Sequence, residues 1–495
     1  MQDSHPPRFN LAEHVLAAGL RAPDRTALAV LSPTRADRWS HGRLRAAVLG
    51  AATGLLDRGL TPGRRVLLRI GNEPAFPVAY LACIAVGLIP VPTSAMLTAR
   101  EVTRMARDLR PALVIAGAGV ALPDDASAVL STSDLTGMAA LPPADFDRGD
   151  PDRLAYIVYT SGSSGNPRAV MHAHRAILAR RMMFDGWYGL RPTDRLLHAG
   201  AFNWTFTLGT GLMDPWTAGA TALIPAEGTA IEQIPLIARR NGATLIAAAP
   251  GVFRRMLRAE WPPLPDLRHG LTAGERLDPD LRRAWVARTG TDLHEAMGMS
   301  ECSTFLSGSP ARSAPDGAAG YPQPGRRLAI LSDKGDPLPP GRPGVLAVHR
   351  SDPGLFLGYL GQPDETAARF AGDWFLTGDM AVQADDGAIS TLGRVDDMMN
   401  AGGFRVAPAE VEDVLVPVPG AGDVAVTELP VRGGASIIAA FWTGAATPQT
   451  MRAAAEAGLA RYKQPRDYVR VPALPRTPTG KINRRALREA HRKDG

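Results

Sequence analysis

"YTSGSSGNPRAV", Tyr159 to Val170, follows the apolar run "LAYIV" and places four hydroxyl side chains and two glycines in a turn that ends on a basic residue. Small residues let successive backbone N–H groups point toward one centre. Thr160, Ser161, Gly162, Ser163, Ser164, Gly165 and Arg168 therefore read as a cradle for phosphate, with hydroxyl and guanidinium donors added to the backbone ones. The spacing is not that of a Walker A loop, which occurs nowhere in the chain. A bare Ser/Gly cluster is also an ordinary turn. The chemistry has to be judged from what else the chain carries.

At 495 residues the chain is long enough to bury a large core and to divide into two or more domains. Its 45% hydrophobic and 21% charged residues are a globular composition. Aliphatic runs such as "RRVLLRIG", "ALVIAG" and "ATLIAAAP" alternate with helical stretches such as "EQIPLIARRNG", a pattern that predicts an α/β protein with parallel sheets. No internal repeat of fixed period is present, and "SDKGDPLPPGRPGV" reads as turns between strands. The stretch "FPVAYLACIAVGLIPVP" is shorter than a membrane span and is broken by Pro77, Gly87, Pro90 and Pro92. It predicts a buried helix followed by a strand. In "STLGRVDDMMNAGGFRVAPAEVEDVL" a strand end meets a charged, Gly-bearing turn and then a helix starting near Pro408, which places a domain boundary at Arg394 to Asp397.

The net charge of +6 comes from 55 basic against 49 acidic residues, and the only dense basic run is the terminal "INRRALREAHRK". This argues against a nucleic-acid partner and leaves small anions as the natural ligands. Two cysteines, Cys83 and Cys302, build no disulfide framework and fit a reducing compartment, so a cytoplasmic location is expected. The start "MQDSHPPRFNLAEHV" lacks the basic and apolar regions of a signal peptide. The oligomeric state stays open, a homodimer being one state compatible with the sequence.

Four further stretches follow the opening one in a telling order: "EAMGMSEC", "FLTGDM", "GRVDDMMNAGGFRVAPAEVE" and "LPRTPTGKINR". Together the five resemble the phosphate loop, the Tyr-Gly-x-Thr-Glu segment, the Thr-Gly-Asp turn, the hinge motif and the C-terminal lysine loop of the adenylate-forming (AMP-binding) superfamily. That superfamily holds acyl-CoA synthetases, luciferases and peptide-synthetase adenylation domains. The resemblance covers essentially the whole chain. It implies a large N-terminal α/β domain with parallel sheets, residues 1–395, and a small mobile α+β domain, residues 396–495, with ATP, acid and Mg²⁺ held between them.

A carboxylate is a poor electrophile, so such enzymes first let it attack the α-phosphate of ATP and then let a thiol displace AMP. Donors, Mg²⁺ and a lysine stabilise the charge that gathers on phosphoryl oxygens. By the resemblance, the loop residues named above contact the β- and γ-phosphates, Arg168 standing where lysine is usual and offering a planar fork instead of a point charge. Glu301, with Thr160, would hold Mg²⁺, a cation that takes oxygen ligands, and Ser300 replaces the usual threonine. Asp379 would accept the ribose hydroxyls and Arg394 support them. Gly274, Glu275, Arg276, Glu295, Ala296, Met297 and Gly298 would surround the adenine, with Met297 in place of an aromatic residue. Lys481 would serve the α-phosphate, Arg405 would join the catalytic set, Asp396 would be the hinge, and Gly402 and Gly403 would leave room for the pantetheine arm of coenzyme A.

For the acid, "HAGAFNWTFTLGTG" lies where the family places its pocket-lining segment, which nominates Trp204, Thr205 and Phe206 together with Ala273 and Gly298. Acetate-specific relatives carry tryptophan at the position of Gly298, so the glycine is expected to leave room for a larger acid. No acid residue stands ready to grip an α-amino group. His172, His174 and His198 show no metal-ligand spacing and read as structural. The expected function is an ATP-dependent carboxylic acid:CoA ligase releasing AMP and pyrophosphate, on medium-chain, alicyclic or aromatic acids. The rival is a stand-alone adenylating enzyme that loads a carrier protein, disfavoured because no carrier domain is fused after the lysine loop.

Overall fold

The computed structural model describes residues 7–491 apart from 127, 161–167, 398, 402–403, 431–435, 460 and 478–479. The chain is mixed α/β and divides into two compact units, Met1–Arg327 with His349–Phe370, and Leu328–Val348 with Ala371–Gly495.

Most of the parallel strands of the first unit, such as Thr26–Leu31, Arg65–Arg69, Leu113–Ala116, Thr221–Pro225 and Leu245–Ala248, are short and almost wholly buried, as parallel strands covered by helices must be. Its main sheet has nine strands among the described residues. Six of them, Leu293–Met299, His269–Ala273, Leu245–Ala248, Arg195–His198, Thr221–Pro225 and Thr26–Leu31, run parallel in that spatial order. Antiparallel strands close both edges. A second sheet of Ile89–Pro92, Arg65–Arg69, Leu113–Ala116 and Val129–Ser131 is parallel throughout. Between them helix Ala75–Ala85 is apolar all round and has all residues from Phe76 to Ala85 buried, as its composition requires. The strand that follows it is Ile89–Pro92, as expected from the sequence. Ligands of such sheets gather at the carboxyl ends of the parallel strands. Here those ends carry His198, Ala273 and the segment from Glu295 to Met299.

The second unit carries an antiparallel group that pairs Trp374–Gln383 with Ile389–Arg394, a sheet of Val424–Pro430, Ser436–Trp442 and Asp467–Arg470, and helices Pro408–Leu415 and Pro448–Gly458. Proline at the first turn opens both helices, where its missing N–H costs nothing. Val411, Leu415, Val426, Ala440, Trp442, Met451 and Ala455 form the core of this part. The boundary expected between residues 395 and 396 falls within this unit. No helix among the described residues is long and apolar enough to cross a membrane.

Candidate active site

Strands Leu154–Thr160 and Arg168–Ala173 are antiparallel, with Thr160 opposite Arg168, so the phosphate-loop sequence leaves and rejoins the sheet on a single rung. Ser161, Gly162, Ser163, Ser164 and Gly165 lie outside the described residues. Strand Gly358–Tyr359 extends the sheet, Tyr359 facing Val170 and Leu360 N donating to Ala169 O at 2.9 Å. Arg168 Nη2 is 2.7 Å from Glu365 Oε2, and its guanidinium carbon lies 5.3 Å from the centroid of the Tyr359 ring.

Tyr359 also reaches the other way, its hydroxyl donating to Glu301 Oε1 at 2.7 Å. Glu301 is 7% exposed, and its Oε2 has no hydrogen-bond partner among the described residues. A buried carboxylate with one oxygen fixed and one available suits a hard divalent cation. The turn that carries it is held by main-chain bonds, Phe356 N donating to Glu301 O at 2.8 Å and His172 Nε2 lying 2.7 Å from Ser300 O. Burial pushes His172 down to about 4, so the imidazole is neutral and Nε2–H donates to the carbonyl.

At the carboxyl end of the parallel strands the structure brings together three of the residues nominated for the acid, Trp204, Phe206 and Ala273, with Gly274, nominated for the adenine. Gly274 has φ +97°, and a side chain there would stand 3.2 Å from Trp204 Cζ2, so the glycine both allows the backbone turn and admits the indole. Trp204 meets Phe206 edge-on with centroids 5.1 Å apart, and Ala273 belongs to the same cluster. Thr205 lies between the two aromatic residues and is partly buried. Tyr188 of the same cluster donates to Asp214 at 2.7 Å, and Asp214 fixes Arg180 at 2.7 and 2.6 Å.

The adenine candidates pack as one group. The carboxylate of Glu295 receives the Leu277 N–H and faces Arg276 and Arg282, yet burial still pushes it up to about 7. Ala296 is buried opposite Ser307, and Met297 is partly buried opposite Leu306. Glu275 is partly buried in the loop after Gly274.

Gly298 requires a correction. Its Cβ would not enter open space but would meet the carbonyl oxygen of Ser303, with Thr304 Cα at 2.6 Å and Ser303 C at 2.8 Å. The pairing of Leu293–Met299 with Ser303–Ser307 shifts register between Met297 and Gly298. The glycine answers to the close approach of the neighbouring main chain, and its missing side chain opens no pocket.

In the second unit Asp379 stands opposite Arg394 in register, and Arg394 Nη1 lies 3.3 Å from Asp379 Oδ2 and donates to Thr377 O at 2.9 Å. Gly378, with φ +78°, leaves the space that the Arg394 guanidinium fills. Burial raises the Asp379 carboxyl while Arg394 and Lys481 draw it down. Lys481 ends a tight turn in which Thr477 N donates to Lys481 O at 2.7 Å and Gly480 N to Thr477 O at 2.8 Å. Arg476 ties the turn to Asp423 at 2.7 Å. Asp396 lies in a short helical turn, Val395–Asp397, and Arg405 in strand Phe404–Val406. Gly402 and Gly403 lie outside the described residues.

Sequence reasoning passed over Tyr359, whose signal was "GYLGQPDET", an aromatic residue beside glycine just before a helix start. His198 was read as structural. The structure sets it edge-on to Phe206 with centroids 4.4 Å apart, buried, and with neither ring nitrogen hydrogen-bonded. His174 accepts from Leu11 N at 3.1 Å, a purely structural pin. No group of three or more potential ligands able to hold a metal ion occurs among the described residues.

Comparison with known proteins identifies the family. Residues 16–360 match the AMP-binding enzyme model and residues 410–481 the AMP-binding enzyme C-terminal domain. The chain belongs to the AMP-binding enzyme family. It is an AMP-forming acid–thiol ligase. It is 29% identical to the 3-hydroxybenzoate–CoA ligase of Aromatoleum sp. (strain CIB), over 91% of each chain. It is also 29% identical to the benzoate–CoA ligase of Thauera aromatica, over 98% of this chain and 97% of the relative. Among solved structures it matches a benzoate CoA ligase from Burkholderia xenovorans LB400, with TM-score 0.86, 27% identity and 97% and 100% of the two chains covered. It matches ATP-bound MatB from Rhodopseudomonas palustris with TM-score 0.88, 26% identity and 98% and 99% covered.

Proposed function

We propose that this enzyme is an aryl acid:CoA ligase, the acid being a compact aromatic carboxylate. The observation that carries the reading is the aromatic cluster of Trp204, Phe206 and His198 at the carboxyl ends of the parallel strands, of which Trp204 is only partly buried and, backed edge-on by the other two rings, is suited to contact with an aromatic acid. The names of the relatives, benzoate and hydroxybenzoate CoA ligases, support the same class. Transfer to a carrier protein has no comparable support. The two buried free cysteines support a cytoplasmic location.

In the first half-reaction a carboxylate oxygen attacks the α-phosphorus, the bond from that phosphorus to the bridging oxygen breaks, and pyrophosphate leaves. In the second the thiolate of coenzyme A attacks the acyl carbon and AMP leaves. Thr160, the loop hydroxyls and Arg168 hold the β- and γ-phosphates. Glu301 and Thr160 would hold Mg²⁺, which neutralises phosphate charge when bound. Gly274, Glu275, Arg276, Glu295, Ala296 and Met297 surround the adenine, Asp379 accepts the ribose hydroxyls, and Arg394 orients Asp379 and offsets part of the burial that raises its carboxyl. Lys481 stabilises the charge on the α-phosphate, and Arg405 assists it. Asp396 is the hinge of a C-terminal domain that carries the lysine for the first step and Gly402 and Gly403 for the second.

The test is a panel of benzoate, hydroxybenzoates, cyclohexanecarboxylate, hexanoate and acetate with ATP, Mg²⁺ and CoA, following AMP and acyl-CoA. A ring outweighs a methyl group by several buried carbons at about 0.8 kcal/mol each, so aromatic acids should exceed acetate in kcat/KM by about a hundredfold. Highest kcat/KM for acetate or hexanoate would overturn the reading.

A further inference from the structure

Arg168 is the residue at which this chain departs from the usual lysine of its phosphate loop, and it is paired with an acid that belongs to the same unit. Glu365 sits on the short helix Pro363–Ala367, whose start is fixed because the Thr366 hydroxyl accepts from Tyr359 N at 2.9 Å and donates to Gln362 O at 2.9 Å. The carboxylate itself is exposed, its side chain 51% accessible against 20% for Arg168. Tyr359 lies against the guanidinium at 5.3 Å and limits where it can turn. A lysine would present three rotatable donors to several acceptors, whereas the planar guanidinium fork favours one oxyanion along each edge.

We propose that Glu365 is an internal competitor for the phosphate groups that Arg168 binds, so that it lowers the affinity for ATP and eases the departure of pyrophosphate. The inference rests on the reading that Arg168 contacts phosphate. A carboxylate and a phosphate oxygen are alternative partners for the same N–H groups, and a half-exposed pair is weak enough to be exchanged. The effect of losing the competitor is therefore modest and opposite in sign to the loss of a binding residue.

The experiment is calorimetric titration of the full-length wild type, Glu365→Gln, Arg168→Ala and the double variant with inorganic pyrophosphate and with α,β-methylene ATP, Mg²⁺ present. Glu365→Gln should tighten both ligands by about two- to fivefold, the range of an exposed ion pair. Arg168→Ala should weaken them about tenfold or more, and adding Glu365→Gln to it should change nothing further. Glu365→Gln that leaves binding unchanged or weaker, with Arg168→Ala still impaired, overturns the competitor and leaves the role of Arg168 standing. Equal tightening in the Arg168→Ala background also overturns it, because Glu365 would then act only as a nearby negative charge. Unchanged binding in Arg168→Ala overturns the competitor together with the phosphate role on which it rests. Glu365 is exposed, so matching thermal midpoints will show that the variant folds.

Discussion

Tyr359 and Glu301 are 58 residues apart in the chain and 2.7 Å apart in the fold, the phenol donating to a buried carboxylate oxygen. The same ring lies beside Arg168. One tyrosine thus orders both a candidate metal ligand and the arginine at the mouth of the phosphate loop. A hydrogen bond to a charged group is worth about 1.5 to 3 kcal/mol, and its loss leaves Glu301 free to turn. Tyr359→Phe keeps the ring and removes only the donor. It should slow adenylation about tenfold and raise the Mg²⁺ concentration for half-maximal rate, as read by pyrophosphate release. Rates and Mg²⁺ dependence equal to wild type would show that the bond does not position Glu301.

Gly298 supplies a prediction about stability where its sequence alone suggested one about specificity. Because a Cβ would press on the main chain of Ser303 and Thr304, Gly298→Ala should destabilise the first unit by about 1 to 3 kcal/mol, and Gly298→Trp should fail to give folded protein. Urea unfolding of Gly298→Ala is the measurement. A variant as stable as wild type, with preference moved to shorter acids, would restore the glycine to the acid pocket.

Lys481 should serve only one half-reaction. Removing a donor aimed at developing charge commonly costs about a hundredfold or more, so Lys481→Ala should lose adenylation to that extent. Supplied with synthetic acyl-adenylate and CoA, it should form thioester at close to the wild-type rate. Loss of both half-reactions together, with circular dichroism unchanged, would place the lysine in some other role.

Acid sensitivity follows from buried imidazoles. Burial pushes His172, His269 and His294 down to about 4 and His174 and His198 down to about 3. Each folded value lies below the unfolded one near 6.5, so the unfolded chain binds the proton first. The stability they contribute is complete above pH 6.5 and is lost as pH falls toward 4. Glu295, raised to about 7 by burial, runs the opposite way and cancels roughly one proton. Unfolding at pH 5.5 should therefore take up protons on balance, which calorimetry in buffers of different ionisation enthalpy will report. A thermal midpoint that is flat between pH 7 and 5 would contradict this assignment.

The parallel-sheet architecture was legible because buried parallel strands must be short aliphatic runs, and the helix at Ala75–Ala85 because it is apolar on every side. Trp204, Phe206, Ala273 and Gly274 were nominated from sequence and do meet in one place. What escaped were relationships set by distant chain segments. The space beside Gly298 is decided by how closely Ser303–Ser307 packs against it, and no spacing rule conveys that. The partner of Glu301 arrives from Tyr359 through a strand of only two residues, Gly358–Tyr359. His198 lacks ligand spacing, so its standing became visible only once its ring nitrogens were seen buried without partners against Phe206.

This enzyme should activate its acid as an adenylate before any thiol takes part. The most direct measurement is a rapid-quench experiment with enzyme in excess over ATP labelled at the α-phosphate, Mg²⁺ and a benzoate-type acid, first without and then with coenzyme A. Pyrophosphate and an enzyme-bound acyl-adenylate should appear in equal amounts without CoA, and adding CoA should convert the adenylate to acyl-CoA and AMP. Formation of ADP, or absence of any labelled acyl-adenylate until CoA is added, would contradict this activation.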